Sequence, residues 1–133
     1  MNIFRDSPLA ALEQTAVFAS RRHELLAGNI ANADTPGYRA RDLNVADFQN
    51  ALAESITRPA DTPATGVSAT TRDDRMSGPR AATEQIVYHD DSDVSLETQV
   101  TEMAKNQHLH SLAITTMRSQ FALLRAAITE RAS

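Results

Sequence analysis

No cysteine occurs anywhere in this chain, so disulfides and thiolate metal sites are excluded. Tryptophan is absent too, and aromatic residues fill only 5% of the 133 positions. A compact core of bulky side chains is therefore not expected. The alanine, leucine and methionine that stand in their place suit one helix packed against another. Four glycines form no P-loop, no Gly-x-Gly-x-x-Gly fingerprint and no Gly-x-Ser-x-Gly elbow. Basic residues number 13 against 17 acidic ones, a net charge of −4. That balance gives no pull on a phosphate backbone and argues against nucleic acid as a partner. No stretch approaches the ~18 apolar residues of a membrane span. Residues 1–12 lack the basic stretch, apolar run and cleavage site of a secretory signal. The chain is expected to stay in the cytoplasm or to leave by a route that reads no cleaved signal.

What the chain has is helical periodicity at both ends. Leu9, Leu12, Ala16, Ala19, His23, Leu26 and Ile30 alternate spacings of three and four, the a/d pattern that keeps one seam of a helix toward a partner. Ser7 as N-cap and Pro8 at the first helical position open this helix, which is read to about Ala33. Thr35-Pro36-Gly37 closes it. A residue before proline is pushed out of the helical region, and Pro-Gly fits the central positions of a type II turn. Residues 1–37 thus form an N-terminal helix with a turn behind it.

The second periodic run is longer. Leu96, Val100, Met103, Gln107, His110, Ile114, Met117, Phe121, Leu124 and Ile128 keep the same rhythm over nearly five heptads. Asp90, Asp91, Asp93 and Glu97 gather at its start and Arg118, Arg125 and Arg131 toward its end, complementing the helix dipole. The helix is read from Val94 to Arg131, within a C-terminal segment 94–133 that forms one unit with the N-terminal helix.

Between them, residues 38–93 read as a flexible middle segment. Asp47 to Leu52 suits a short helix carrying Phe48 and Leu52. Thr57 to Gly78, crowded with Thr, Ala, Asp, Pro59, Pro63 and Gly66, reads as a loop. Gln85-Ile-Val-Tyr88 is the one strand-like run. The fold class is mostly α: long terminal helices pairing as an antiparallel coiled coil, a partly disordered middle loop and at most a short strand. A two-helix layer leaves both flanks wet, yet Leu25, Leu109, Leu112 and Leu123 on those flanks are apolar. Packing against neighbours is expected.

Chemistry is sparse. His108 and His110 resemble a ligand pair, but residues two apart on a helix point in different directions. A metal-dependent enzyme would rest on these two alone. His23, Gln107 and His110 interrupt the apolar seams, and either fix register or face a wet boundary. No catalytic residue, cofactor or metal ligand is expected. Asn29 and Asn32 are the polar pair to watch. Three apart, they share a helix face and can each donate and accept amide hydrogen bonds.

The run Asn29-Ile-Ala-Asn32-Ala-Asp-Thr35-Pro36-Gly37-Tyr38, followed by Arg39-Ala-Arg-Asp42 and Phe48, resembles the N-terminal signature of bacterial flagellar axial proteins. The segment Val94-x-Leu96-Glu97, Glu102-Met-Ala-Lys-Asn106 and Phe121-Ala-Leu-Leu-Arg-Ala-Ala-Ile128 is similar to that of proximal rod proteins of the FlgB type. The resemblance covers both ends of the chain, and residues 53–83 lie outside it. In the other short proximal rod family, members tend to carry an insertion between the Asn-Ala and Tyr-Arg segments, which is absent here. A helical export chaperone or adaptor of the flagellar secretion system is the alternative of another class, and it has no reason to carry the Thr-Pro-Gly-Tyr turn.

The resemblance implies a structural subunit of the flagellar basal-body rod, a hollow drive shaft in the periplasm. Its partners would be copies of itself, other rod proteins, the basal-body adaptor and the flagellar export gate. Subunits would leave unfolded through type III export, without a cleaved signal peptide. The assembly seam would consist of Leu9, Leu12, Ala16, Ala19, Leu26, Ile30, Leu96, Val100, Met103, Ile114, Met117, Phe121, Leu124 and Ile128.

Overall fold

The computed structural model describes residues 8–58, 75–90 and 95–132. Helix α1 spans Pro8–Ala31, strand β1 Arg41–Leu43, helix α2 Val45–Thr57, helix α3 Ser77–Glu84, strand β2 Ile86–Tyr88 and helix α4 Leu96–Arg131. Mostly α is the right class, with two long terminal helices in the largest interface of the molecule. They run antiparallel, because Asn29, Arg22 and Ala19 of α1 bond in turn to Gln99, Glu102 and Asn106 of α4.

Local chemistry sets the boundaries. Ser95 caps α4 by accepting from the Thr98 amide at 3.2 Å, and Asn44 caps α2 by accepting from the Asp47 amide at 3.1 Å, both the expected N-cap bond. Ser7, Val94, Asp91 and Asp93, assigned to helix starts from the sequence, lie outside the described residues. Helix α1 stops at Ala31, two residues short of the expected end, and the signature turn follows. There Tyr38 N donates to Thr35 O at 3.2 Å and Gly37 has φ +75°. A left-handed glycine behind a proline is what a type II turn requires.

The described parts of the middle segment, residues 38–58 and 75–90, are mostly helix and strand. The expected short helix runs on to Thr57, and the end of the expected loop is helical, since Ser77 and Gly78 begin α3. Residues 59–74 of that loop lie outside the described residues. Ile86–Tyr88 pairs antiparallel with Arg41–Leu43, a partner that the sequence did not announce. These pieces order because α1 has a second face. Phe18, Leu25, Leu43, Phe48 and Ala82 form one buried cluster, flanked by Val45, Leu52 and Ile86. Phe18 and Phe48 stack with ring centroids 4.1 Å apart and planes 15° from parallel. The apolar core therefore lies between α1 and the middle segment.

The contact between α1 and α4 is of another kind. The α4 side chains it buries are Gln99, Asn106 and Ala113, seven residues apart and small or polar. From α1 it takes Ala19 and Leu26, both fully buried.

Removing the Phe48 ring would open a void against Phe18. Phe48→Ala is expected to cost about 3–5 kcal/mol, read as a lowered urea midpoint. Val17→Ala, on the exposed side of the same helix, should stay within about 0.5 kcal/mol.

Candidate functional site

Asn29 is 4% exposed, and its amide uses every hydrogen bond it can make. Nδ2 donates to Arg41 O at 2.7 Å and to Gln99 Oε1 at 2.9 Å. Oδ1 accepts from Arg41 N at 2.9 Å and from the Tyr38 hydroxyl at 3.2 Å. An amide carries two donors and two acceptor lone pairs, so nothing is left over. The bonds to both backbone groups of Arg41 make Asn29 act as a neighbouring strand on the edge of β1 opposite β2. That explains how a three-residue pairing persists: the free edge is occupied.

Asn32 works locally. Its Nδ2 donates to Gly28 O at 2.8 Å, closing the last turn of α1, and its Oδ1 accepts from the Thr35 hydroxyl at 3.2 Å. Thr35 N adds a bond to Asn32 O at 3.0 Å. Thr35, Pro36 and Gly37 are exposed and Tyr38 is half-buried. The six signature residues thus divide: Asn32, Thr35, Pro36 and Gly37 shape the turn, while Tyr38 is folded back onto Asn29.

Two turns earlier, Arg22 lies 7% exposed between three elements. Its Nε and Nη2 bond the two Asp42 carboxylate oxygens at 2.8 and 2.9 Å, and Nη2 also reaches Glu102 Oε2 at 2.9 Å. Lys105 bonds the other Glu102 oxygen at 2.9 Å. The Asp42 hydrogen bonds hold the Arg22 pKa above its ordinary value, against burial, with Glu102 adding to the effect. Lys105 first, and Arg22 second, hold the Glu102 carboxyl below the usual range. Two cations and two carboxylates balance, so no net charge is buried. Further along, Asn106 Nδ2 donates to Ala19 O at 2.7 Å, and its buried Oδ1 takes no bond from any described residue. His23 and His110 line the small crevice beside it; His108 is exposed. Among the described residues, no cluster of three or more His, Asp or Glu could hold a metal ion.

The seam residues divide by helix. On α1, Leu9, Ala19 and Leu26 are buried, and Leu12, Ala16 and Ile30 half-buried. On α4 none is buried: Met103, Ile114 and Met117 are half-buried, and Leu96, Val100, Phe121, Leu124 and Ile128 are exposed. Gln99, Arg22 and Phe18 were not singled out from the sequence, and Asp42, Glu102 and Asn106 entered only within the segments that carry the family resemblance. One signal was present, since Gln99, Asn106 and Ala113 form a second seven-residue stripe beside the apolar one. The arrangement fixes the register and angle of α1, β1 and α4.

Asn29→Ala would strand the Arg41 backbone and Gln99 in the interior. A loss of at least about 2 kcal/mol is expected, against less than about 1 kcal/mol for Asn32→Ala, both read by chemical denaturation. The acid limb tests the charge cluster. A carboxyl whose folded pKa is lowered contributes stability above its unfolded pKa, about 4.3, and loses it as pH falls through the folded value. Glu102→Gln should therefore lower stability at pH 7 and flatten the loss of stability below about pH 4.3.

No protein-family model matches the chain. Individual relatives do. The flagellar basal body rod protein FlgB of Escherichia coli K12 is 31% identical over 126 residues, covering 86% of this chain and 88% of that protein. FlgB of Cereibacter sphaeroides is 37% identical over 125 residues, 92% of this chain and 87% of its own length. FlgB of Aeromonas hydrophila matches a shorter stretch, 58% identical over 36 residues, 27% of this chain. The first two alignments span nearly the whole of both partners, middle segment included, and on that ground the chain belongs to the FlgB family of flagellar basal body rod proteins.

Proposed function

We propose that this chain is a structural subunit of the flagellar basal-body rod, assembling helically with copies of itself and other rod proteins into a hollow shaft that transmits torque. One observation carries the reading beyond family membership. Helix α4 keeps Leu96, Val100, Phe121, Leu124 and Ile128 between 41% and 69% exposed, although each belongs to its heptad stripe. A stripe of large apolar side chains left in water calls for a protein surface to cover it. The contact with α1 half-covers Met103, Ile114 and Met117 and leaves the five exposed residues free for neighbours, and the half-buried Leu12, Ala16 and Ile30 extend the same role to α1. These exposed and half-buried residues form the assembly surface; Leu9, Ala19 and Leu26 are buried within the subunit and do not reach it.

On this reading the rod lies in the periplasm. The chain reaches it unfolded through the flagellar type III export apparatus, with no cleaved signal peptide, and meets the export gate and basal-body adaptor at its base. Described helices long and apolar enough to cross a membrane are absent, which suits a part built into a shaft. The clasp at Asn29 and the cluster at Arg22 then hold each subunit in one shape under load. Nothing in this arrangement requires catalysis, and no feature of the chain favours an export chaperone.

The test is complementation of a strain lacking its own copy of this gene. Leu124→Asp or Ile114→Asp should abolish swimming and rod assembly while the protein is still made at its normal level. Ser119→Asp, on an exposed position of the same helix, should leave swimming intact. Normal swimming with either seam variant would overturn the assignment of the surface. Complete rotating flagella in cells without the gene would overturn the function.

A further inference from the structure

Helix α4 outruns its partner. Following the pairing from Asn29 with Gln99 and Ala19 with Asn106 down to the first turn of α1 brings that turn roughly level with Met117. Past Gln120 every described residue of α4 is exposed. This end carries Phe121, Leu124 and Ile128, and a shallow groove on it is lined by Arg118, Phe121 and Arg125 among others. It is both greasy and basic.

The opposite pole is its complement. Beside the signature turn lies a crevice of about 460 Å³ whose lining includes Ile30, Leu96, Tyr38, Asp34 and Asp90. Leu96 is 52% exposed there. Asp34 has no ion-pair partner among the described residues, and Asp90 meets only Arg39, at 3.8 Å with both side chains well exposed, a pairing of little strength. Ile30, Leu96 and Tyr38, set among Asn32, His89 and Gln99, are flanked by two carboxylates at this pole, and the apolar side chains at the other pole are flanked by two guanidinium groups.

We propose that the two poles dock on each other between copies: the overhanging end of α4 seats Phe121 and Leu124 in the crevice of a second copy, with Arg118 and Arg125 against its Asp34 and Asp90. The proposal rests on the rod-subunit reading and adds which surfaces meet. The poles lie at opposite ends of α4, so the contact is heterologous. It leaves one free pole at each end and propagates as an open chain of subunits instead of closing as a dimer.

The absence of cysteine makes the test clean. Asp34→Cys and Arg125→Cys are placed together in the full chain. Within one molecule these positions are about 40 Å apart, beyond any disulfide, so every cross-link formed on mild oxidation joins two copies. A ladder of dimers, trimers and longer products is expected from the double variant and not from either single variant. Adding Arg118→Glu should cut the ladder at least about fivefold through like-charge contact, and Asp90→Arg alongside it should restore the ladder. No ladder from a chain that still supports swimming would overturn the docking while leaving the rod reading intact. Loss of swimming complementation by the unmodified chain would sink the rod reading instead. A cross-link confined to monomers carrying Asn2→Cys and Arg125→Cys, with no ladder, would overturn the docking by making the chain's own first residues the occupant.

Discussion

One buried amide organises the molecule. Asn29 ties the end of α1 to the backbone of β1, to the Tyr38 hydroxyl beyond the turn and to Gln99 of α4. A side chain in that position accepts no substitute lightly, because Gln99 is buried and the Arg41 backbone partly so, and each would be left with an unmet hydrogen bond. The chain reversal at Pro36-Gly37 delivers β1 to the amide, β1 recruits β2, and the pair sets Leu43 and Ile86 against the cluster around Phe18. Remove the amide and β1 loses its hydrogen-bonded neighbour on α1, leaving the Phe18 cluster and the Arg22–Asp42 pair to hold the middle segment.

The same logic separates two kinds of surface. Where the terminal helices meet, the joint is made of Gln99, Asn106 and Ala113 against Ala19, Leu26, Arg22 and Asn29. Where they face outward, α4 shows leucine, isoleucine, valine and phenylalanine. This partly reverses the usual globular arrangement, in which the apolar stripe is spent inside and the polar residues face water: Gln99 and Asn106 lie inside with Ala113, while Met103, Ile114 and Met117 are only half-covered. Polar bonds define one conformer, and under the proposed function the exposed apolar side chains are kept for contacts between molecules.

The large features were legible in the sequence for a physical reason. A 24-residue and a 36-residue helix repeat their signal many times, and Pro36 and Gly37 mark the turn after the first by rules that need no tertiary context. The importance of Asn29 was readable too, since a paired asparagine before a turn is unusual chemistry for a helix end. What escaped depended on distant partners. Arg41–Leu43 has no strand pattern of its own and becomes a strand because Asn29 and Ile86–Tyr88 lie on either side of it. Helix α3 carries no cap bond and is held through Pro79 and Ala82, buried against the rest. The apolar heptad stripe of α4 drew attention away from the polar one beside it, and only the position of α1 distinguishes them.

A joint stitched by directional bonds behaves differently under load from a greasy one. Apolar side chains exchange partners at small penalty, so two oiled helices slide; a shift of one heptad, about 10 Å, merely swaps one leucine for the next. Here the same slip would carry Glu102 away from Arg22 and set Leu109 or Ser95 opposite a buried guanidinium. Arg22 would keep its pair with Asp42 but lose Glu102, and a hydrogen bond between charged groups is worth about 1.5–3 kcal/mol. Helices α1 and α4 are thus keyed to one another like a shaft in its collar, and strain applied along them is passed on to the next molecule before it is lost in shear within this one.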